Sequence, residues 1–174
     1  SGFGPFYDGL AHPLMVPEDL LPVVALTLLA GVRGAHYCRR VVFAMPLAWL
    51  AGMLAATAIH LPPGPLWLTC LLTVGLGVSV AADRPWPVTA VTGLAALTGA
   101  AHGFGNGKEL AGAGGGAAAM AGIVGAPFAA SALVSGQAAA FRTHLGRLAV
   151  RVAGSWIAAI GLLVFFSAPE WFSP

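Results

Sequence analysis

Six residues in two short stretches carry the side chains best suited to chemistry. His12, Glu18 and Asp19 stand near the start of the chain, and His102, Asn106 and Glu109 stand past its middle. Two imidazoles, three carboxylates and one amide form a mixed nitrogen and oxygen donor set of the kind that holds a divalent cation. On a continuous helix His102 and Asn106 would lie one turn apart, with Glu109 nearly a turn further on. The intervening Gly103, Gly105 and Gly107 also permit an unwound or re-entrant segment. Such a segment would offer bare carbonyls as further ligands where it lines a cavity. The plainer alternative is that these carboxylates are solvated at helix ends and the histidines bond to backbone.

Other chemistry is poorly served. Gly103-Phe-Gly-Asn-Gly-Lys108 superficially resembles a phosphate loop. Its spacing is one residue short, Glu109 stands where Ser or Thr should follow, and no strand precedes it. No Ser/His/Asp or Cys/His arrangement is present, so no enzyme is expected. Ser131 and Ser155 fall within apolar segments and suit bonds to helix carbonyls. Cys38 and Cys70 show no C-x-x-C spacing and read as small buried hydrophobes. His36, His60 and His144 suit interfacial anchoring, and no pair is obviously placed for axial ligation of a haem.

The elements that must position these residues follow from composition. Of 174 residues, 58 % are hydrophobic and 8 % charged, against roughly 45–50 % and about 25 % in soluble domains. Fourteen charges cannot clothe a globule of this size, and the mean hydropathy of +0.86 makes the lipid bilayer the natural solvent. Disorder and collagen are excluded, and a net charge of +2 gives no footprint for nucleic acid. Breakers divide the chain into six apolar segments, at residues 20–34, 41–59, 66–82, 86–102, 113–140 and 149–168. Six spans of about 20 residues would use about 120 positions, leaving no room for a soluble domain. No segment alternates as a membrane barrel strand does, so the expected fold is all-α, one bundle of six transmembrane helices.

Charge placement supplies an orientation. With the N-terminus outside, Arg33, Arg39, Arg40, Arg84, Arg142, Arg147 and Arg151 fall on the inner side with Asp83. Lys108 falls outside with Asp8, Glu18, Asp19, Glu109 and Glu170. The inner side carries +6 and the outer side −4, as the positive-inside rule requires. Both termini are expected outside the cytoplasm. The chain begins at Ser1, and the expectation is that a signal peptide has been removed. Trp67 and Trp171 suit the outer interface and Trp86 the inner one, while Trp49 and Trp156 fall within spans and are expected to pack inside the bundle. Pro46 and Pro127 are expected to kink the second and fifth spans. The fifth is dense in small residues (Gly112, Gly114, Gly115, Gly116, Gly122, Gly125, Gly136) and is expected to sit amid neighbours.

Three motifs in register resemble the HupE/UreJ family. Gly9-Leu-Ala-His-Pro-Leu14 is similar to its opening, where the motif reads about H-P-x-x-G-x-D-H. Ala44-Met-Pro-Leu-Ala48 with Ala51-Gly-Met53 is similar to its A-x-P-L-A…A-G-M stretch, and His102 through Glu109 resembles H-G-x-x-H-G-x-E. The resemblance implies a six-helix protein of the bacterial inner membrane, with a cleaved signal peptide, acting as a nickel or cobalt permease for hydrogenase and urease maturation. His12, Glu18, His102 and Glu109 match the motifs. Asp19 and Asn106 stand where the motifs have His, and Met15, Val16 and Pro17 replace the Gly-containing spacer. Oxygen in place of imidazole shifts a site toward harder cations. The departures imply a different metal, a structurally bound metal, or a non-transporting subunit of a redox or photosynthetic membrane complex, docked through the Gly/Ala-rich fifth span.

Overall fold

The computed structural model describes residues 3–59, 62, 64 and 66–167. His60, the Leu61-Pro-Pro-Gly-Pro65 turn apart from Pro62 and Gly64, Glu170 and Trp171 lie outside the described residues. Among the described residues the chain is all-helical. Seven helices, α1 (Pro5–Met15), α2 (Pro17–Gly31), α3 (Ala35–Ala58), α4 (Leu66–Ala81), α5 (Val88–Gly112), α6 (Ala117–Ser135) and α8 (His144–Ser167), are joined by one helical turn, α7 (Ala138–Phe141).

The start of the chain departs from expectation. An additional helix, α1, precedes the first expected span. Pro5 opens it and Asp8 lies in its first turn, a favourable place for an acid. Pro17 then forces Val16 into extended backbone (φ −99°, ψ 105°), and α2 leaves at 73° to α1. Residues 25–32 of α2 and its end are buried without interruption, and α2 touches every other helix. A helix apolar on all faces belongs at a centre. That place was expected for the fifth span. Instead α6 buries only one stripe, including Gly122, Ala126 and Ser131, while Gly112, Gly114, Gly115 and Gly116 lie exposed at the α5–α6 connection.

Among the described residues three helices, α3, α6 and α8, are long and apolar enough to cross a membrane, or four spans if the bent α1–α2 pair is one. Six were expected. The 16 residues of α4 make about 24 Å of helix, short of a hydrocarbon core of about 30 Å. The 25 residues of α5 are long enough but interrupted by polar groups. The helix α5 runs on to Gly112, past the 102 expected as the end of the fourth span. α8 starts at 144, before the expected 149, and α6 stops at 135, before the expected 140. Pro46 and Pro127 stand buried inside helices that continue through them. Cys38 and Cys70 are buried as expected. Ser131 and Ser155 bond to helix carbonyls, of Phe128 and Arg151. Trp156 was expected inside the bundle but is 67 % exposed on α8.

Glycine brings α3 and α5 together. Gly99, Gly103 and Gly107 recur at every fourth residue of α5. A Cβ on each would collide with the backbone of Met45, Trp49 and Met53, themselves every fourth residue of α3. Gly52 meets the backbone of Ala100 and Phe104 in return. Small residues at this spacing let two helix backbones touch. A Gly103→Ala substitution is expected to cost about 1–3 kcal/mol of stability. Gly93→Ala, whose Cβ would enter open space, should be neutral or gain up to about 1 kcal/mol from helix propensity. Thermal unfolding of the two variants in one detergent checks the contrast.

Charged groups gather at the two ends of the bundle. At one end Asp83, in the left-handed region at φ 48°, receives Arg33 from the end of α2 (2.8 Å) and Arg147 from α8 (2.9 Å). The Arg33 guanidinium also donates to the carbonyls of Asp83 and Arg84. Arg151 donates to Ala81 O. Asp83→Asn, which keeps the tolerance for this backbone but removes the charge, should lower stability by about 2 kcal/mol. Arg40→Ala, at an exposed position, should stay within about 0.5 kcal/mol. Unfolding midpoints of the purified variants measure both.

Candidate functional site

The opposite end holds the six residues singled out in the sequence. Glu18 and Asp19 occupy the first turn of α2, where the helix dipole favours acids. Because α2 is central, this turn faces the middle of α5. There the helix is continuous through Gly103, Gly105 and Gly107, so no unwound segment forms. His102 and Asn106 lie one turn apart on the stripe beside the packed glycines, and both are buried.

Asp19 joins them. It is 2 % exposed. One carboxylate oxygen accepts from Nδ1 of His102 (2.8 Å) and the other from Nδ2 of Asn106 (3.0 Å). The indole Nε1–H of Trp49, on α3, donates to Oδ1 of Asn106 (3.1 Å). Its ring system lies 5.6 Å from the His102 ring, tilted by 30°. A neutral imidazole that gives its Nδ1–H to the Asp19 carboxylate carries its lone pair on the other nitrogen, Nε2. That atom, Nε2 of His102, is buried with no hydrogen-bond partner among the described residues.

His12 and Glu109 form a second, more exposed pair. Nε2 of His12, on α1, lies 3.4 Å from Oε2 of Glu109 on α5. The side chains are 37 % and 67 % exposed. Glu18 is half-buried. All six residues line one cavity of about 600 Å³. His12, Asn106 and Glu109 also line a smaller cavity of about 290 Å³ that reaches Asp8. Lys108 turns away, bonding to Ile59 O and lying over the Phe104 ring.

The cavity does not gather the six as one ligand shell. Among the described residues no three His, Cys, Asp or Glu side chains converge closely enough to hold a metal ion. Asp19 is bonded to both His102 and Asn106, and Asn106 also to Trp49, while His12, Glu18 and Glu109 stand nearer the rim. The acid matched to the motif by resemblance, Glu18, is outside the buried network, and Asp19, which replaces a motif His, is at its centre. Sequence reading missed Trp49, which it assigned to packing. The available signal was chemical: a buried indole N–H seeks an acceptor.

An all-helical protein with membrane-length apolar helices and a polar cavity at one end of its bundle is the class that fold and cavity define. The HupE / UreJ protein family model matches residues 1–164, and the chain belongs to that family. Membership implies a membrane protein with a metal-transporter-like role, in a family of permeases and not of enzymes. No curated protein and no solved structure matches the chain.

The buried network carries a stability prediction. Asn106→Leu leaves a carboxylate oxygen of Asp19 and the N–H of Trp49 without their partners. It should cost about 1–3 kcal/mol, read as a lowered unfolding midpoint in detergent.

Proposed function

We propose that this chain is a six-span permease of the bacterial inner membrane that takes a divalent transition-metal cation from the extracytoplasmic side. The observation that carries the reading is the shared cavity. Every one of the six candidate residues lines it, and Nε2 of His102 is buried with no hydrogen-bond partner among the described residues. In this proposal His102 is the inner ligand, and His12, Glu18 and Glu109 capture the ion at the rim. Asp19 and Asn106 act on the metal through His102, since a carboxylate on the far nitrogen of a ligating His orients it and raises its basicity. Two imidazoles with two carboxylates suit nickel or cobalt better than a hard cation.

Orientation follows from charge. The Arg33, Asp83 and Arg147 end faces the cytoplasm, and the cavity with both termini faces outward. α4 and α5 are then the third and fourth of the six spans, shielded by α8 and α3, the helices they pack on. An inside-negative potential would drive entry, worth about 2.3 kcal/mol per charge per 100 mV and twice that for a divalent ion. The test is uptake of Ni²⁺ and Co²⁺ into proteoliposomes under such a potential. Wild type should accumulate metal, and His102→Ala should fall to the level of protein-free vesicles. Absence of uptake by the wild type would sink the permease reading.

The hydrogen bonds that Asp19 and Asn106 already make within the protein favour a second reading, a non-transporting subunit of a larger redox or photosynthetic membrane complex. Stoichiometric co-purification with such a complex in mild detergent, with no metal by elemental analysis, is the outcome this reading expects.

A further inference from the structure

We infer that Trp49 is a positioning residue that sets which metal the cavity prefers, acting through Asn106 and Asp19 without touching the ion. This deepens the permease reading and rests on its assignment of the cavity as a metal site. An indole N–H can only donate. It therefore holds Oδ1 of Asn106 toward α3 and turns the amide nitrogen toward Asp19. One Asp19 oxygen is thereby occupied, and the other takes Nδ1–H of His102. The donors converge on the Asp19 carboxylate, from Trp49 through Asn106 on one side and from His102 on the other.

Trp49 is itself held firmly. It is fully buried, and its backbone lies against Gly103, where a Cβ would strike its carbonyl. The consequence is a choice of donor atom. With the indole in place, Asp19 is kept as an orienting group and His102 offers a nitrogen. Without the N–H, the Asn106 amide is free to rotate and an Asp19 oxygen is released toward the cavity. Imidazole nitrogen favours Ni²⁺, and carboxylate oxygen favours Mn²⁺.

Trp49→Phe keeps an aromatic ring beside His102 and removes only the donor. Competition between Ni²⁺ and Mn²⁺ is measured by uptake into proteoliposomes and by titration calorimetry of the detergent-solubilised full chain. Trp49→Phe should weaken Ni²⁺ by about 10- to 100-fold, the usual effect of losing an outer partner of a metal ligand, and leave Mn²⁺ unchanged or stronger. Asn106→Ala should shift the ratio the same way, and Trp49→Phe should add nothing in that background. Equal weakening of both metals by Trp49→Phe, or a further shift in the Asn106→Ala background, overturns the inference. If Trp49→Phe does not yield monodisperse protein, Asn106→Ala alone decides it by the same ratio. A wild type that binds but does not transport removes the permease reading and leaves the calorimetric ratio to judge Trp49. A wild type that binds neither metal overturns both.

Discussion

The backbone contact between α3 and α5 is the constraint on which the rest depends. Gly99, Gly103 and Gly107 leave no side chain between the two helices, so the neighbouring stripe of α5 is brought against α3 at fixed height. His102 and Asn106 ride on that stripe, where Asn106 accepts from the Trp49 indole and His102 lies beside its ring. A larger residue at Gly103 would separate the helices and break the Trp49 to Asn106 bond before any polar residue was touched. Helix packing in lipid has little hydrophobic drive, so such close approach is both the source of cohesion and the means of aligning polar groups.

α2 supplies the remaining partner. Its apolar body is buried among all the other helices, and its first turn, broken from α1 at Pro17, delivers Asp19 to α5. Nothing local makes Asp19 the buried acid and Glu18 the half-buried one. Adjacent residues on a helix face directions about 100° apart, and only the position of α5 decides which points inward. At the other end of α2, Arg33 reaches Asp83 and ties the α2–α3 connection to the α4–α5 connection. The central helix thus ends in a polar network at both termini, one closed by ion pairs and the other open to a cavity.

Much of the candidate site was legible in sequence, but not its division of labour. His12, Glu18, Asp19, His102, Asn106 and Glu109 could be chosen by residue type and spacing, and they do line one cavity. The glycines between His102 and Glu109 were ambiguous, because a glycine permits unwinding as readily as close packing. The backbone of α3 resolved that ambiguity in favour of helix. α1 lies ahead of the first apolar segment, and no element was assigned to it. The centre of the bundle was misplaced on the fifth span because small residues mark close contacts only where a partner lies opposite.

The sequence by itself determined the solvent, the helical class and the segregation of charge. Hydrophobic content and the scarcity of Lys, Arg, Asp and Glu are sums over the chain, and no arrangement alters them. Helical hydrogen bonds are local and need no partner element. Only the tertiary structure decided that Asp19 bonds to His102 and Asn106, and that Trp49 donates to Asn106. These contacts join residues 83, 87 and 57 positions apart, and hydrogen-bond direction depends on what stands across the interface. Residue type told which atoms could bind a metal, and packing told which of those atoms are already taken.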